Sequence, residues 1–213
     1  AIRAAQLGFN VACVDEWKNA KGGPALGGTC TNIGCIPSKA LLQSSEHYEH
    51  AAHSFADHGI KIEGLGLDIA KMLSRKDTVV KQNNDGIVYL FKKNKVAFFH
   101  GRASFVKAAD GGYEIKVAGA SEEIIGGKHI IVATGSNARP LPGAAFDEEN
   151  ILSNDGALRI GGVPKKLALI GSGVIGLEMG SVWRRLGAEV TVLEALPTFL
   201  GAVGSLRSTT KSG

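Results

Sequence analysis

The sequence predicts an α/β fold with parallel strands, and three observations support it. Short runs of β-branched residues alternate along the chain with longer runs of helical periodicity. Towards the C-terminal end, a strand, a helix and a strand are predicted at residues 167–170, 174–186 and 189–193, and such a βαβ unit favours a parallel sheet. Between residues 103 and 125, short strands separated by glycine-rich turns predict an antiparallel β-meander.

Composition describes an ordinary globular protein. The 213 residues are 44% hydrophobic and 21% charged, enough for one large domain or two smaller ones. No apolar stretch approaches the roughly eighteen residues of a membrane span, and the first ten residues lack the pattern of a signal peptide. The net charge is +4, and the chain has one dense basic run, at residues 92–95. A run this short is typical of a solvated helix end. Neither nucleic acid nor a membrane is expected as a partner.

The elements of the N-terminal half follow in order. Residues 1–7 predict the end of a helix, stopped by Gly8, and residues 10–14 predict a short strand. After a loop rich in Gly, Lys and Pro, two helical stretches are predicted, one over residues 38–55 and one over residues 68–94. Pro37 suits the first turn of the earlier helix.

Further strands are predicted at residues 96–99, 103–106, 113–117, 122–125 and 128–133. The last of these, KHIIVA, is a continuous apolar run, which predicts a buried strand. Pro140, Pro142 and Gly143 then mark a boundary, beyond which the βαβ unit begins.

A glycine motif lies inside this βαβ unit. Gly171, Gly173 and Gly176 form G-x-G-x-x-G between the predicted strand and helix, where backbone N–H groups can bind a pyrophosphate. Glu194 ends the next strand, and its carboxylate can accept hydrogen bonds from an adenosine ribose. Because a carboxylate would repel a 2′-phosphate and no Arg follows it, NAD is favoured over NADP. The alternative is a helix that is merely close-packed on its sheet.

Two of the three cysteines, Cys30 and Cys35, lie in the stretch GGTCTNIGCIPSK. Zinc is disfavoured because no second pair of ligands accompanies them, and no metal is expected. The third cysteine, Cys13, lies within a predicted strand, where a small buried apolar role is expected. Three cysteines do not make a secreted disulfide scaffold, so a reducing compartment is expected and a redox couple is favoured over a structural staple.

The surroundings of Cys35 suit redox chemistry. Its position just before Pro37 predicts a helix N-terminus, where N–H groups stabilise a thiolate. Lys39 lies one turn further along and can add positive charge. Two thiols in a chain with a dinucleotide motif indicate electron transfer from a dithiol to a nicotinamide. A flavin is expected to couple the two, since a thiolate gives electrons whereas nicotinamide takes a hydride.

GGTCTNIGCIPSK resembles the active-site signature of the pyridine nucleotide-disulfide oxidoreductases. The resemblance continues through SKALLQSSEHYEH, GRASF, IIVATGSNARPLPG and GSGVIGLEMGSVWRRLGAEVTVLEALPTFLGA, and covers nearly everything to about residue 203. It points to the branch that oxidises dihydrolipoamide. Glutathione and trypanothione reductases usually have Lys in place of Ser38 and use NADP, whereas mercuric reductases share the PSK ending and are the nearest rival.

The resemblance implies a role for each site residue. Cys35 would be the flavin-side thiol and Cys30 the interchange thiol, while Lys39 would lie near the flavin and pair with Glu178. Asp15 would hold the FAD ribose. The other residues expected at FAD are Gly28, Thr29, Gly101, Thr134, Gly135 and Ser136. The residues expected at NAD are Gly171, Ser172, Gly173, Val174, Ile175, Gly176, Glu178 and Glu194.

The resemblance also implies the organisation of the chain. Residues 1–148 would form a Rossmann-like FAD-binding domain with a β-meander but without its first βα unit. Residues 149–203 would form part of an NAD-binding domain, and residues 204–213 a disordered or off-pattern tail. Relatives use a His-Glu base from an interface domain, and no residue here takes that role, so the chain alone is expected to be inactive.

The implied reaction oxidises dihydrolipoamide to lipoamide and passes electrons through a Cys30–Cys35 disulfide and FAD to NAD⁺. The implied partners are the dihydrolipoyl groups of 2-oxoacid dehydrogenase or glycine cleavage complexes, and the complete protein would be a homodimer. Its expected location is the bacterial cytoplasm or the mitochondrial matrix. A nucleotide-binding module with idle cysteines is the alternative from another functional class.

Overall fold

The computed structural model describes residues 1–109 and 111–200. Two compact units are present, and each is discontinuous in sequence. The first joins Ala1–Asn32 to Val79–Asn137, and the second joins Ile33–Thr78 to the chain from Ala138 onward. The linear division at residue 148 stays a prediction, and the predicted tail at residues 204–213 lies outside the described residues.

The four helices that the sequence predicts begin and end close to their predicted positions. The helices of the structure are α1 (Ile2–Gln6), α2 (Gly28–Ile33), α3 (Cys35–Glu49), α4 (Ile69–Lys93), α5 (Asn154–Ala157) and α6 (Val174–Arg185). The short helices α2 and α5 are additions that the sequence does not predict. After α3 the chain continues through a π-helical turn (His50–Ser54) and a 3₁₀ turn (Phe55–His58), so the predicted helix over residues 38–55 changes its winding near its end. Among the helices of residues 1–109 and 111–200, none has the length and apolar character needed to cross a membrane.

The first unit is built on a four-stranded sheet. Strand β1 (Ala12–Asp15) is parallel to β2 (Ala97–Ala109), and β2 continues antiparallel to β3 (Gly112–Gly119), which pairs with β4 (Glu122–Gly127). The predicted α/β fold and β-meander are confirmed.

Two strands that the sequence predicts separately are one element. Residues 96–99 and 103–106 lie in or beside the continuous strand β2, whose first part pairs with β1 and whose later part pairs with β3 from Gly101 onward. Gly101 allows this close pairing, since a Cβ there would lie 2.5 Å from the Ala118 carbonyl oxygen. The core of this unit centres on Leu26, Phe91 and Val96.

The prediction of a buried strand at residues 128–133 is wrong. The run KHIIVA has no strand structure, and the exposed fractions of Ile131 and Val132 are 84% and 68%. A strand needs a neighbour whose N–H and C=O groups complete its hydrogen bonds. Among the described residues, β1 pairs only with β2, and no strand pairs with this run.

The second unit contains the predicted βαβ unit. Strand β5 (Lys166–Ile170) is parallel to β6 (Glu189–Leu193), and α6 connects them. Gly180 lets α6 lie close on the sheet, since a Cβ there would lie 2.6 Å from Leu169 Cδ1. Helices α3 and α6 pack together over a core that includes Leu41, Val182 and Trp183. This packing sets the position of the side chains that face each other from α3 and α6.

Candidate functional site

The cysteines of GGTCTNIGCIPSK are in the oxidised state. Cys30 lies in α2 and Cys35 is the first residue of α3, and both are disulfide-bonded. The position of Cys35 confirms the predicted helix N-terminus, where unpaired N–H groups and the helix dipole stabilise a thiolate once the disulfide is opened. A disulfide that opens to give a stabilised thiolate is suited to thiol exchange.

Cys13 differs from this pair. It is a free thiol, half-buried in β1 against the core of the first unit. Burial, followed by the negative charge of Asp15, raises the pKa of the Cys13 thiol. A thiol kept protonated in this way is inert, which agrees with a packing role.

Two asparagines hold the loop that leads to Cys30. The Asn32 amide donates to the carbonyls of Ala25 at 3.0 Å and Gly28 at 2.9 Å. The Asn84 amide, on α4, donates to the carbonyl of Leu26 at 2.6 Å and to Asn32 Oδ1 at 3.1 Å. Leu26 is only 4% exposed, so water has little access to its carbonyl. The Asn84 amide therefore supplies the hydrogen bond that this buried carbonyl needs.

Sequence reasoning missed both asparagines. Asn32 stands inside the cysteine motif, and a polar side chain between two cysteines could have suggested a structural contact. Asn84 lies 58 residues from Leu26, in a helix with no motif, so no local signal points to it. Only the packing of α4 beside the loop identifies it.

The pair implied for Lys39 is present. Lys39 Nζ on α3 donates to Glu178 Oε1 on α6 at 2.5 Å, and the side chains are 63% and 18% exposed. An ion pair with so exposed a lysine adds little stability. Its effect is positional, because it fixes the ammonium one turn along α3 from Cys35.

The residues expected at FAD belong to the first unit, except Lys39, which belongs to the second. Thr29 Oγ1 donates to the Ser136 carbonyl at 3.3 Å and accepts from the Ser136 N–H at 3.1 Å. Gly135, the residue before Ser136, has a φ of +73°. A side chain there would clash, because its Cβ would lie 2.6 Å from Thr29 Oγ1. The structure thus brings together the two ends of the predicted set, from the cysteine motif and from the TGS stretch.

Asp15 and Gly101 are also neighbours. The pairing of Asp15 with His100 places Gly101 one residue further along β2, at the carboxyl end of β1. Asp15 Oδ1 accepts a hydrogen bond of 2.8 Å from the Trp17 N–H, which holds the carboxylate at this strand end. For Thr134 the structure shows an exposed residue outside any strand or helix.

The glycine motif takes the predicted geometry. Gly171 has a φ of +97°, and Gly173 is the N-cap of α6. The first N–H groups of α6, which have no partner within the helix, therefore lie within the motif. Gly176 lies close to the turn, since a Cβ there would lie 2.8 Å from the Gly171 carbonyl oxygen. Val174 and Ile175 are largely exposed in the first turn.

Glu194 is bound to the motif itself. Its Oε2 accepts from the Ser172 N–H at 2.7 Å and from Ser172 Oγ at 2.6 Å, while its Oε1 accepts from the Leu196 N–H at 2.9 Å. The Ser172 hydroxyl, followed by the N–H groups of Leu196 and Ser172, lowers the pKa of Glu194 to about 2. The carboxylate is therefore ionised at every physiological pH.

In the part of the chain that the structure describes, no cluster of three or more His, Cys, Asp or Glu residues is placed to hold a metal ion. The described cysteines, the Lys39–Glu178 pair and the glycine motif match thiol and dinucleotide chemistry.

Comparisons with known proteins agree with this geometry. Dihydrolipoyl dehydrogenase from Cupriavidus necator is 54% identical over 95% of this chain and 42% of its own length. Mitochondrial dihydrolipoyl dehydrogenase from Pisum sativum is 50% identical over 91% of this chain and 37% of its own length. Leghemoglobin reductase from Vigna unguiculata is 50% identical over 91% of this chain and 36% of its own length. The chain thus spans about two fifths of the length of these relatives.

Solved structures share the fold. LpdA from Mycobacterium tuberculosis superposes with a TM-score of 0.81 at 23% identity, over 93% of this chain and 42% of that one. The HOCl-induced flavoprotein disulfide reductase RclA from Escherichia coli superposes with a TM-score of 0.67 at 26% identity. That match covers 94% of this chain and 40% of RclA. The family model described as pyridine nucleotide-disulphide oxidoreductase matches residues 1–209. The chain belongs to the pyridine nucleotide-disulphide oxidoreductase family.

Proposed function

We propose that this chain is part of a dihydrolipoyl dehydrogenase, which oxidises dihydrolipoamide to lipoamide and passes the electrons to NAD⁺. The observation that carries the proposal is the disulfide of GGTCTNIGCIPSK, with Cys35 at the N-terminus of α3. The relatives with 50–54% identity that bear the name dihydrolipoyl dehydrogenase support the substrate. Those compared come from bacteria and mitochondria, which supports the cytoplasm or the mitochondrial matrix as the location.

The cysteines exchange thiols with the substrate. One thiolate of dihydrolipoamide attacks Cys30 Sγ, so that a mixed disulfide forms and Cys35 leaves as a thiolate. The second substrate thiol then attacks the mixed disulfide, which releases lipoamide and leaves Cys30 reduced. Both electrons now reside on the protein, and the N-terminal N–H groups of α3 stabilise the Cys35 thiolate. Lys39, fixed by Glu178, adds positive charge one turn away.

The residues present fit FAD and NAD. Gly101 and Gly135 stand where a Cβ would crowd its neighbours, and Thr29, Ser136 and Asp15 supply polar groups in the same unit. These residues, with Gly28 and Thr134, would hold FAD. When bound, FAD supplies the two-electron relay between a thiolate and a nicotinamide. The motif from Gly171 to Gly176, with Glu178 and Glu194, would hold NAD.

The proposal extends to partners and to the complete protein. Dihydrolipoyl groups of 2-oxoacid dehydrogenase or glycine cleavage complexes would deliver the substrate, and the complete protein would act as a homodimer. Because the chain spans about two fifths of its relatives, we assign the activity to the complete protein and expect none from these 213 residues alone. Mercuric reductase and a non-catalytic nucleotide-binding module are less favoured, since the names of the relatives support neither.

Cysteine variants of the complete protein test the proposal. The parent protein should be yellow, should gain a long-wavelength absorbance band on two-electron reduction and should produce NADH from dihydrolipoamide. Cys30→Ser should keep the band and lose turnover, because Cys35 remains a thiolate but cannot be reached from the substrate. Cys35→Ser should lose both, and Cys13→Ser, the matched control, should lose neither.

Three results would contradict the proposal. One is a colourless protein, and another is full NADH production by Cys35→Ser. The third is NADPH-driven reduction of metal ions without any activity on dihydrolipoamide, which would favour the mercuric reductase alternative.

A further inference from the structure

Ser172 is the buried residue of the glycine motif. It stands between Gly171 and Gly173 and is 1% exposed, whereas Val174 and Ile175, later in the same motif, are 53% and 56% exposed. Its N–H and its hydroxyl both donate to Oε2 of Glu194, at 2.7 and 2.6 Å. The Leu200 N–H donates in turn to Ser172 Oγ at 3.3 Å, which orients the hydroxyl towards the carboxylate.

The hydrogen-bonding capacity of the carboxylate is then largely used. A carboxylate oxygen accepts about two hydrogen bonds. Oε2 accepts two from Ser172, and Oε1 accepts one from the Leu196 N–H. The Ala195 N–H also contributes weakly to the hydrogen bonding of the carboxylate. Because Ser172 occupies Oε2, Oε1 is the oxygen that keeps capacity for a sugar hydroxyl.

We propose that Ser172 is a specificity-determining residue of the dinucleotide site. Its two hydrogen bonds to Oε2 fix the orientation of the Glu194 carboxylate, so that Oε1 can accept a hydrogen bond from a ribose hydroxyl. The inference deepens the proposed function and rests on it, since it concerns the choice between NAD and NADP. A carboxylate that cannot turn away keeps its negative charge at the ribose. A 2′-phosphate there meets a fixed charge of the same sign and finds no hydrogen-bond donor from Glu194.

Removal of the Ser172 hydroxyl should make the orientation of the Glu194 carboxylate less fixed. Ser172→Ala keeps the backbone N–H but leaves Oε2 with one hydrogen bond fewer, so the Glu194 side chain gains rotational freedom. Binding of NAD⁺ must then order the carboxylate again, and the loss of one hydrogen bond corresponds to about 3- to 10-fold weaker binding. NADP⁺ should lose little affinity or gain some, because the carboxylate can turn away from its phosphate.

The experiment measures dissociation constants of NAD⁺ and NADP⁺ by titration calorimetry with the complete protein. The variants are Ser172→Ala, Glu194→Gln and the double variant. The matched control is Ser181→Ala, because Ser181 lies on α6, is exposed, and bonds only to the Leu177 carbonyl of its own helix. A carbon-detected NMR titration of Glu194 adds a readout that needs no nucleotide.

Support takes a specific form. Ser172→Ala weakens NAD⁺ binding and reduces the preference for NAD⁺ over NADP⁺ by about 3- to 10-fold. Its effect falls below about 2-fold when Glu194 is already Gln, since coupled residues are not additive. The pKa of Glu194 rises in Ser172→Ala, and Ser181→Ala changes nothing.

Other results overturn the inference. Equal losses for NAD⁺ and NADP⁺, or an undiminished effect in the Glu194→Gln background, would show that Ser172 acts on the fold of the motif alone. If Ser172→Ala does not fold, Glu194→Gln provides the test. An unchanged preference for NAD⁺ over NADP⁺ in that variant would show that the carboxylate does not determine specificity, and the inference would fail. Absence of NAD⁺ binding by the parent protein is a different failure, because it overturns the proposed function itself.

Discussion

The charge on Glu194 links a single side chain to the stability of the dinucleotide motif. Its carboxylate, whose ordinary pKa is 4.5, has a pKa of about 2 because of the Ser172 hydroxyl and the N–H groups of Leu196 and Ser172. A folded-state pKa below the unfolded value stabilises the fold above the unfolded pKa, and this stability is lost as the pH falls through the folded pKa. The relevant window therefore runs from about pH 4.5 down to about pH 2.

We expect Glu194→Gln to lack this dependence, because glutamine does not titrate. Above pH 4.5 the parent chain should be the more stable of the two, and the difference should shrink as the pH approaches 2. Urea denaturation at a series of pH values measures it. Glu189→Gln, in the strand that ends just before Glu194, is the control. A constant difference between parent and Glu194→Gln down to pH 2 would refute the expectation.

Two glycines should respond to alanine in opposite ways. Gly27 has a φ of +125°, and a Cβ there would lie 2.5 Å from Thr31 Oγ1, so Gly27→Ala should cost about 1–3 kcal/mol of the free energy of unfolding. Gly86 lies inside α4 with no atom within 4 Å of the added Cβ. Gly86→Ala should stabilise by roughly 0.5–1 kcal/mol, because alanine restricts the unfolded chain and favours the helix.

Thermal and urea denaturation of both variants give the comparison. A Gly27→Ala protein as stable as its parent would show that the loop before Cys30 can relax around a side chain.

At the scale of elements, α4 supports the loop of the cysteine motif. Its Asn84 donates to the carbonyl of Leu26, which is buried, whereas the neighbouring Asn83 donates only to Val79 of its own helix. The two asparagines are adjacent in sequence but differ in what they hold. Helix α4 therefore stabilises the motif through one face, at a distance of 58 residues along the chain.

We expect Asn84→Ala to destabilise the protein by about 1–3 kcal/mol, because the Leu26 carbonyl loses its donor in a buried site. Amide hydrogen exchange at residues 25–33 should accelerate as well. Asn83→Ala should stay within about 0.5 kcal/mol of the parent, as is usual for exposed positions. Equal effects of the two changes on exchange would rule out a specific role for Asn84.

At the scale of the whole molecule, exposed apolar side chains should control association. Ile131, Val132, Phe105 and Ile124 of the first unit are all more than half exposed. Apolar surface of this kind favours contacts between molecules. The 213-residue chain should therefore self-associate at micromolar concentration, as measured by sedimentation velocity.

A double change, Ile131→Lys with Val132→Lys, should reduce the association, while Lys128→Arg provides a control in the same segment. A parent chain that remains monomeric at about 100 μM would show that the exposed run does not drive contacts between copies.

The sequence by itself predicted most of the elements and named the residues of the candidate site. Helical periodicity located α3 and α4, and Pro37 predicted the helix start at Cys35. The alternation of strand and helix patterns predicted the βαβ unit, with the glycine motif inside it and Glu194 at its end. These signals suffice because they are local. A turn needs a glycine at one position, and a helix needs apolar residues at intervals along a few turns.

Only the tertiary structure decided the contacts between distant residues. It joined two predicted strands into β2 and placed Asn84 on the Leu26 carbonyl. Among the described residues, it gave residues 128–133 no strand to pair with. It also turned Ser172 from a motif position into the residue that holds Glu194. Strand pairing and side-chain hydrogen bonds depend on which residues meet in space, and the local pattern of a sequence does not contain that information.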